Sequence, residues 1–457
     1  MAEARRVLIV GAGPAGVAAA AVLAAHRQRP FLIDEGHAPG GQVYRRASAP
    51  VALDIKALFG SQVGKYERLH ATFAGLAGSV EHRPRTLAWA VHERAVHTLA
   101  EGKAEVHPYD ALILATGATD RLLPVPGWTL PGAYALGGAQ TLLKDQGCLI
   151  GRRVVFCGSS PLLHLVALQY QAAGGEVAAV VDTTTTGAKL AAAPVLAANG
   201  FATLLRGLSY MAALRCKGVR IHHGTRLVAI EGETHVTGLR FRDRRGNEHR
   251  VEADAVAIGF GLRAETQLAE LGGARLRYDS VFRQWLPDVD ADGRCAPGLY
   301  AAGDGCAIGG ADAAEESGQL AAYAALADLG IAAPNARMAR LRAHVARLRR
   351  FQRGLAKAFD WPHSWPMDMP DQVILCRCEN VTLGEVRATL REDIPPADVN
   401  RAKAFTRCGM GRCQGRFCGL ALGELMAAET GTAHERTGWL RAQAPVKPVP
   451  VSTAFPS

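Results

Sequence analysis

Apolar residues along the chain come in short runs broken by glycines, in a repeating strand, turn and helix order. Val7 to Val10 is an uncharged run of the kind that a strand covered on both faces carries. Gly11-Ala-Gly-Pro-Ala-Gly16 interrupts it, and Val17 to His26 continues with helical spacing. A second apolar strand, Pro30 to Ile33, ends in Asp34-Glu35. The same plan returns at Arg152 to Cys157, then Gly158-Ser-Ser160-Pro-Leu-Leu163 and a helical stretch, then Glu176 to Val181 ending in Asp182. Such alternation predicts an α/β fold with parallel sheets. Further on, Arg337 to Arg353 is spaced as a helix with Leu341, Val345 and Leu348 on one side and a solvated basic face on the other. Three prolines between Asp360 and Pro370 predict a linker, and Thr382-Leu-Gly-Glu385 predicts a capping box that starts a helix through Leu390.

Length and composition narrow this picture. At 457 residues, 49% hydrophobic, the chain has room for two or three domains, each with its own core. The 50 glycines follow no collagen period and suit the turns of an α/β protein. A net charge of +10 raises nucleic acid as a partner, but the cations are scattered and no basic stripe interleaved with aromatics exists, so none is expected. Val7 to Ala25 imitates a signal or membrane segment in length, yet Gly11, Gly13, Pro14 and Gly16 fall where a strand must turn into a helix. No transmembrane segment is read, the location expected is cytoplasmic, and peripheral membrane association stays open.

The first turn carries the clearest chemistry. In Gly-x-Gly-x-x-Gly after a strand, Gly11 permits the turn, Gly13 lets backbone approach a pyrophosphate, and Gly16 allows helix and strand to pack closely, while Pro14 and Ala15 open the helix whose N–H groups face the phosphate. Asp34 is the first choice, over Glu35, to accept hydrogen bonds from a ribose. A small-residue helix crossing without ligand would show the same glycines.

Three further elements favour a ligand. Gly40-Gly41-Gln42, Ala115-Thr116-Gly117 and Gly298-Leu-Tyr-Ala-Ala-Gly303-Asp304-Gly305 follow in the order seen in two-dinucleotide-binding-domain flavoproteins of the glutathione-reductase type, which the chain resembles. The resemblance implies FAD, with Asp304 beside its ribityl or phosphate region. Gly309-Gly310-Ala311-Asp312 looks like a helix start whose positive end would face the flavin ring, or an ordinary helix start. In the second unit, Ser160 and Leu163 stand where the second and third glycines belong. A leucine there should push helix and strand apart, which makes NAD(P)H use doubtful. An adenine nucleotide bound structurally, nothing at all, or a docking surface are the readings left for it.

Of ten cysteines, five lie in the last fifth of the chain: Cys376, Cys378, Cys408, Cys413 and Cys418. Clustering of this kind indicates a metal site rather than disulfides. The Cys-x-Cys pair suits iron-sulfur better than a zinc knuckle, with zinc and spare thiols as alternatives. Cys376-Arg-Cys-Glu and Thr406-Arg-Cys-Gly-Met-Gly-Arg-Cys-Gln-Gly-Arg-Phe-Cys418-Gly resemble the [2Fe-2S] module of bacterioferritin-associated ferredoxin. Joined to the flavin half, and with the Pro445 to Pro450 tail, the chain resembles the alpha (A) subunits of heteromeric amino-acid dehydrogenases: D-hydroxyproline dehydrogenase, opine oxidase and the B subunit of hydrogen cyanide synthase.

What the resemblance implies is an α/β two-dinucleotide-binding-domain flavoprotein with a small C-terminal helical [2Fe-2S] domain. An FAD-binding domain over 1–118 plus 286–329 would enclose a degenerate NAD(P)-binding-like domain over 119–285. A basic helix and linker over 330–371, the cluster domain over 372–435 and a tail over 436–457 would follow. Cys376, Cys378, Cys413 and Cys418 would be the cluster ligands, with Cys408 a neighbour or the alternative third ligand. The implied partners are a substrate-oxidising flavoprotein beta subunit and, as a further candidate, a small ferredoxin-like subunit; a flavin shared at a subunit interface is a further candidate cofactor. FAD exchanges two electrons or one, a [2Fe-2S] centre one, so the pair suits electron relay. No arginine clamp or general base marks a substrate site. A stand-alone NAD(P)H-dependent reductase and a non-catalytic nucleotide-binding scaffold are the rival readings.

Overall fold

The computed structural model describes residues 5–48, 51 and 53–451; the outermost parts of the first domain and of the tail, 1–4 and 452–457, lie outside the described residues. In chain order, β1 (Val7–Val10), α1 (Pro14–Ala25) and β2 (Phe31–Ile33) form the first unit, and β3 (Ala111–Leu114) follows. β4 (Arg153–Gly158), α2 (Leu162–Ala172) and β5 (Glu176–Asp182) form the second, succeeded by α3 (Thr186–Cys216) and β6 (Ala255–Gly259). Then come β7 (Leu299–Ala301), α4 (Gly310–Asp328) and α5 (Asn335–Ala358). A C-terminal module holds α6 (Leu383–Leu390), α7 (Val399–Thr406) and α8 (Gly419–Thr430).

Two sheets organise the molecule. The first has six strands in the order Arg294–Ala296, β7, β3, β1, β2 and Glu81–Arg83, all parallel except the first pair. The second has five, Ile221–His223, β5, β4, β6 and Ala133–Ala135, all parallel. β1, β3 and β4 are buried along almost their whole lengths, as strands covered on both faces must be.

Small residues set the helix contacts of the first unit. A Cβ on Gly16 would stand 1.7 Å from the Gly11 carbonyl oxygen, and one on Gly318 of α4 would stand 2.1 Å from that of Ala15. Both crossings are closed to any side chain. In the second unit α2 starts four residues after Gly158, whereas α1 starts three after Gly11. Leu163 is fully buried among Leu136, Phe156 and Val166, so the added side chain is accommodated by a longer turn and an apolar fill.

The proline-rich segment read as a linker is packed against the regions that it joins. Trp361, Trp365 and Met369 are buried in one apolar cluster with Trp128, Phe260 and the cysteine module's Cys376, Leu425 and Met426. Arg121 lies 3.7 Å from the Trp361 ring centroid. Indole and thioether area outweighs the loss of regular hydrogen bonding at Pro362, Pro366 and Pro370, a balance that proline counting misses. The capping box is present: the Glu385 N–H donates to Thr382 Oγ1 at 3.2 Å and the Thr382 N–H to Glu385 at 2.7 Å.

The long α3 bends at Gly200, whose ψ of 51° is not helical, and carries Pro194 within it. By length and composition it would cross a membrane, a feature the sequence reading did not single out. It lies instead against α5, through Ala192 and Leu196 packed on Phe351 and Ala358.

Candidate functional site

The four flavoprotein-like elements meet at the C-terminal ends of β1 and β3. Gly11 N–H donates to Ile33 O at 2.8 Å, Gly40 N–H to Ala12 O at 2.8 Å, Ala115 N–H to Val10 O at 2.8 Å, and Ala302 N–H to Leu114 O at 2.9 Å. Gly11 needs its φ of +105° and has the Ala115 oxygen only 2.2 Å from where a Cβ would sit. Gly303 approaches the Ala15 side chain, Gly305 approaches Thr116 Oγ1, and Gly41 approaches Gly13, each within about 3 Å of a notional Cβ. Gly117 also holds a positive φ, and its carbonyl accepts from the Glu265 N–H at 3.0 Å.

Gly13 differs from its neighbours. Its φ of −73° suits any residue, and a Cβ there would rest 3.7 Å from Gly41, an ordinary contact. Neither the backbone nor the packing of this chain requires glycine at that position. The space a side chain would fill is the cradle above the N-terminus of α1, where Pro14 is the first residue and no side chain caps the free N–H groups. That is the feature a pyrophosphate needs.

Asp34 and Glu35 separate by direction. Asp34 accepts from the Gly36 N–H at 2.6 Å and from the Ala12 N–H, so it grips the glycine turn; burial pushes its carboxyl up, and the two N–H donors oppose that. A carboxylate accepts about four hydrogen bonds, which leaves capacity for a ribose. Glu35 points outward to Lys447 of the tail. Asp304 accepts from Gly309 and Gly310 at 2.8 and 3.0 Å, which fixes the start of α4; burial raises its carboxyl too. Ala311 lies in that first turn, partly buried beside Val17 and Tyr44. Gln42 is exposed, its side-chain oxygen accepting from Arg45 at 3.0 Å and Thr141 at 3.2 Å.

Two site residues had no sequence signal. Lys144, buried, donates to the carbonyls of Val43 at 3.0 Å and Gln42 at 3.4 Å and so anchors the Gly40-Gly41-Gln42 loop; burial pushes it down to about 7. Glu265 links the flavin crossing to the cysteine module. Thr116 donates to its carbonyl at 2.7 Å, Arg263 and Thr119 to one carboxylate oxygen at 3.0 and 3.1 Å, and Arg416 to the other at 2.8 Å. Arg416 in turn donates to Cys413 O at 3.2 Å and to Val446 O of the tail at 2.7 Å. Neither residue belongs to a local motif; only the fold brings them to the site.

In the cysteine module the Sγ atoms of Cys376, Cys408 and Cys418 lie within 4.8 Å of one another, all three buried. Cys408 therefore stands inside the sulfur group from which the resemblance leaves it out. Cys378 and Cys413 form a second contact through their thiols, and Gly411 leaves no room for a Cβ against Cys378. Hydrogen bonds from the Cys408 and Cys418 thiols hold Cys376 far below the ordinary thiol range, while Cys408 and Cys418 are pushed well above it. Thiols crowded this way compete for one negative charge, and a bound cation would let several ionise together. The donor set, five soft sulfurs in glycine-rich loops, fits an iron-sulfur centre or zinc.

The second unit is filled from within. Asp182, fully buried at the end of β5, accepts from the Thr184 N–H and hydroxyl at 2.9 and 2.6 Å, from Lys189 of α3, and stands 3.3 Å from His223 Nδ1. Ser159 and Ser160 of its turn are buried as well. Ser159 Oγ and His164 Nε2 find no hydrogen-bond partner among the described residues, and burial pushes His164 down to about 4.

Residues 5–325 match the family described as pyridine nucleotide-disulphide oxidoreductase. The chain is 35% identical over 460 residues to the A subunit of opine oxidase from Agrobacterium tumefaciens (strain Ach5), covering 97% of this chain and 90% of that one. It is 33% identical to hydrogen cyanide synthase subunit HcnB of Pseudomonas aeruginosa, covering 98% and 97%. Among solved structures, L-proline dehydrogenase from P. horikoshii shares the fold with a TM-score of 0.73 at 20% identity, over 99% of this chain and 79% of that one.

Proposed function

This chain belongs to the pyridine nucleotide-disulphide oxidoreductase family and is an FAD-dependent oxidoreductase, and on that premise we propose that it is the electron-transfer subunit of a heteromeric amino-acid or opine dehydrogenase. Its relatives are named as subunits of oxidases and synthases over nearly their whole length. A flavin-bearing partner subunit would oxidise the substrate carbon–nitrogen bond and pass electrons here.

The observation that carries this reading is the sulfur group of Cys376, Cys408 and Cys418, with Cys378 and Cys413 beside it, in the same chain as one open nucleotide cradle. When bound, FAD would supply a carrier that takes an electron pair and releases single electrons, and a [2Fe-2S] centre would carry them singly. The residues assigned to hold FAD are Gly11, Gly13, Asp34, Gly41, Thr116 and Asp304. Those assigned to the cluster, by resemblance, are Cys376, Cys378, Cys413 and Cys418. Glu265 and Arg416 hold the two regions in contact. The second unit argues against direct use of NAD(P)H, since Lys189 and His223 already satisfy Asp182.

The test is a visible spectrum with iron, sulfide and zinc analysis of the chain purified together with its partners. Flavin bands with a broad iron-sulfur shoulder are expected, bleaching when the substrate of the partner is added and staying unchanged with NADH or NADPH. Zinc without iron would remove the cluster, and rapid bleaching of the lone chain by NADPH would make it a reductase. Cys413→Ser should abolish the iron signal and Cys408→Ser should keep it. The reverse result would place Cys408 among the ligands and Cys413 outside them.

A further inference from the structure

Between the flavin crossing and the cysteine loop runs a short ribbon on which three charged side chains meet. Ala118–Asp120 pairs antiparallel with Leu262–Ala264, which sets Arg263 opposite Thr119. Glu265, the next residue, is tied to the crossing by its backbone: its N–H donates to Gly117 O at 3.0 Å, and Thr116 Oγ1 donates to its carbonyl at 2.7 Å. Its carboxylate accepts from Arg416 Nε at 2.8 Å, and Arg416, which stands between Cys413 and Cys418 in sequence, donates to Cys413 O at 3.2 Å. Gln267 of the same segment donates to Gln414 O at 2.9 Å. Residues 265 and 267 thus hold the loop that carries Cys413 and Cys418 to the crossing that carries Thr116.

The charges exceed what a clasp requires. Arg263 and Thr119 donate to the other Glu265 carboxylate oxygen at 3.0 and 3.1 Å. Burial pushes the Glu265 carboxyl up, but the Arg263 and Arg416 guanidiniums outweigh it and hold it below the ordinary carboxylate range, so it is ionised. Two guanidiniums against one carboxylate leave one positive charge over. The side chains of Arg263, Glu265 and Arg416 are only 14%, 12% and 9% exposed, so water screens that surplus little. A buried cation without a counter-charge is costly. Burial weakens the charge on Arg263, and the negative groups that support it are Glu265 and, after it, the Cys413 and Cys418 sulfurs. The surplus is therefore matched to a sulfur group that carries negative charge of its own.

We propose that Glu265 is a positioning residue that fixes the Cys413 to Cys418 loop against the flavin crossing, and that the surplus charge it shares with Arg263 and Arg416 sets the reduction potential of the centre those sulfurs hold. The inference rests on the electron-transfer reading. A centre that gains an electron gains a negative charge, and a fixed cation beside it stabilises that state more than the oxidised one. The surplus cation raises the potential and makes the centre a better acceptor for electrons that leave the flavin.

A redox titration of the partner-bound protein, with dithionite as reductant and the iron-sulfur absorption as readout, tests this. Arg263→Gln keeps the Glu265 to Arg416 pair, so no buried ion is left alone. It should shift the one-electron equilibrium about tenfold toward the oxidised form, a potential lower by ~59 mV. Glu265→Gln, of the same shape as wild type, should raise the potential by a similar amount. The double variant again has one surplus charge and should return to the wild-type potential. Shifts of opposite sign separate charge from support, because a loosened loop would move both single variants the same way. Should Glu265→Gln fail to fold, Arg263→Gln and the double variant still decide. With iron present at the wild-type level, three results would each overturn the proposal and leave the electron-transfer reading standing: an unchanged potential in Arg263→Gln, single variants that shift in one direction, or a double variant displaced as far as Arg263→Gln. Wild-type protein without iron would overturn both.

Discussion

Above the turn between β1 and α1, Gly13 leaves a space that nothing in the chain needs, and Asp34 stands at its edge with only backbone N–H groups as partners. Above the turn between β4 and α2, Ser159 and Ser160 are buried, Leu163 fills the helix crossing, and Asp182 is taken by Lys189, His223 and Thr184. Both units keep the first glycine for one reason. Gly11 would set a Cβ 2.2 Å from Ala115 O, and Gly158 would set one 1.9 Å from Gly259 O. The first glycine thus belongs to the strand crossing that any such fold needs; of the positions that diverge, Gly13 against Ser160 is the one over the ligand cradle, while Gly16 against Leu163 exchanges one helix packing for another. In the second unit the donors that a ribose would offer the strand-end acid are supplied by the chain itself, from Lys189, His223 and Thr184.

Breaking what the two units share gives the largest effect. Gly11→Val and Gly158→Val each place a branched side chain at positive φ against a backbone carbonyl, so each should cost more than about 5 kcal/mol and leave little folded protein. Near-native melting curves for either would mean that the crossing is looser than 2.2 or 1.9 Å.

The next change sharpens the difference. Lys189→Met removes the cation from a carboxylate with no exposed surface, at a cost of about 3–5 kcal/mol near neutral pH. Burial raises the Asp182 carboxyl, but hydrogen bonds from His223 and Lys189 and the lysine charge outweigh it, so it sits below its ordinary value. A depressed carboxyl contributes stability above the ordinary carboxylate range, lost as pH falls through its native value. Without Lys189 the burial effect gains ground, the carboxyl rises, and protonation relieves the buried charge. Denaturant unfolding should therefore show the gap between variant and wild type narrowing from pH 7 to pH 4. A gap that stays constant would show that Asp182 is not the group left unpaired.

The parts of this arrangement that rest on local chain geometry were readable in advance. The glycines, the strand-end acids and the Thr382 to Glu385 capping box declare themselves because each answers a requirement within a few residues. What joins the regions was not. Lys144 reaches the Gly40-Gly41-Gln42 loop from a helix some hundred residues away, Glu265 meets Arg416 at a separation of 151, and Leu440 of the tail fills the space above Gly409 and Gly415. No period or spacing encodes such pairs. The packing of residues 360–370 was hidden for a related cause: the prolines there mark a break in regular structure, whereas the burial of Trp361 and Trp365 depends on partners that lie elsewhere in the sequence.

The smallest predicted effect isolates the ligand from the fold. Gly13→Ala adds one methyl group where φ is −73° and the nearest atom is 3.7 Å away, so the protein stripped of flavin should be no less stable than wild type, and more stable by up to about 1 kcal/mol because the unfolded chain is restricted. The methyl projects into the cradle over the N-terminus of α1, and a pyrophosphate held by those N–H groups must retreat from it. Hydrogen bonds that lengthen at a charged group lose strength steeply. FAD affinity should fall about tenfold or more, a loss of at least about 1.4 kcal/mol, in a titration of flavin into the stripped protein. The matching exchange in the second unit, Ser160→Ala, should change neither flavin binding nor the response to NADPH, because Ser160 Oγ accepts only from the Leu162 N–H of its own turn. Equal FAD affinity in Gly13→Ala and wild type would move the pyrophosphate away from this turn, and with it the distinction between an open cradle and a filled one.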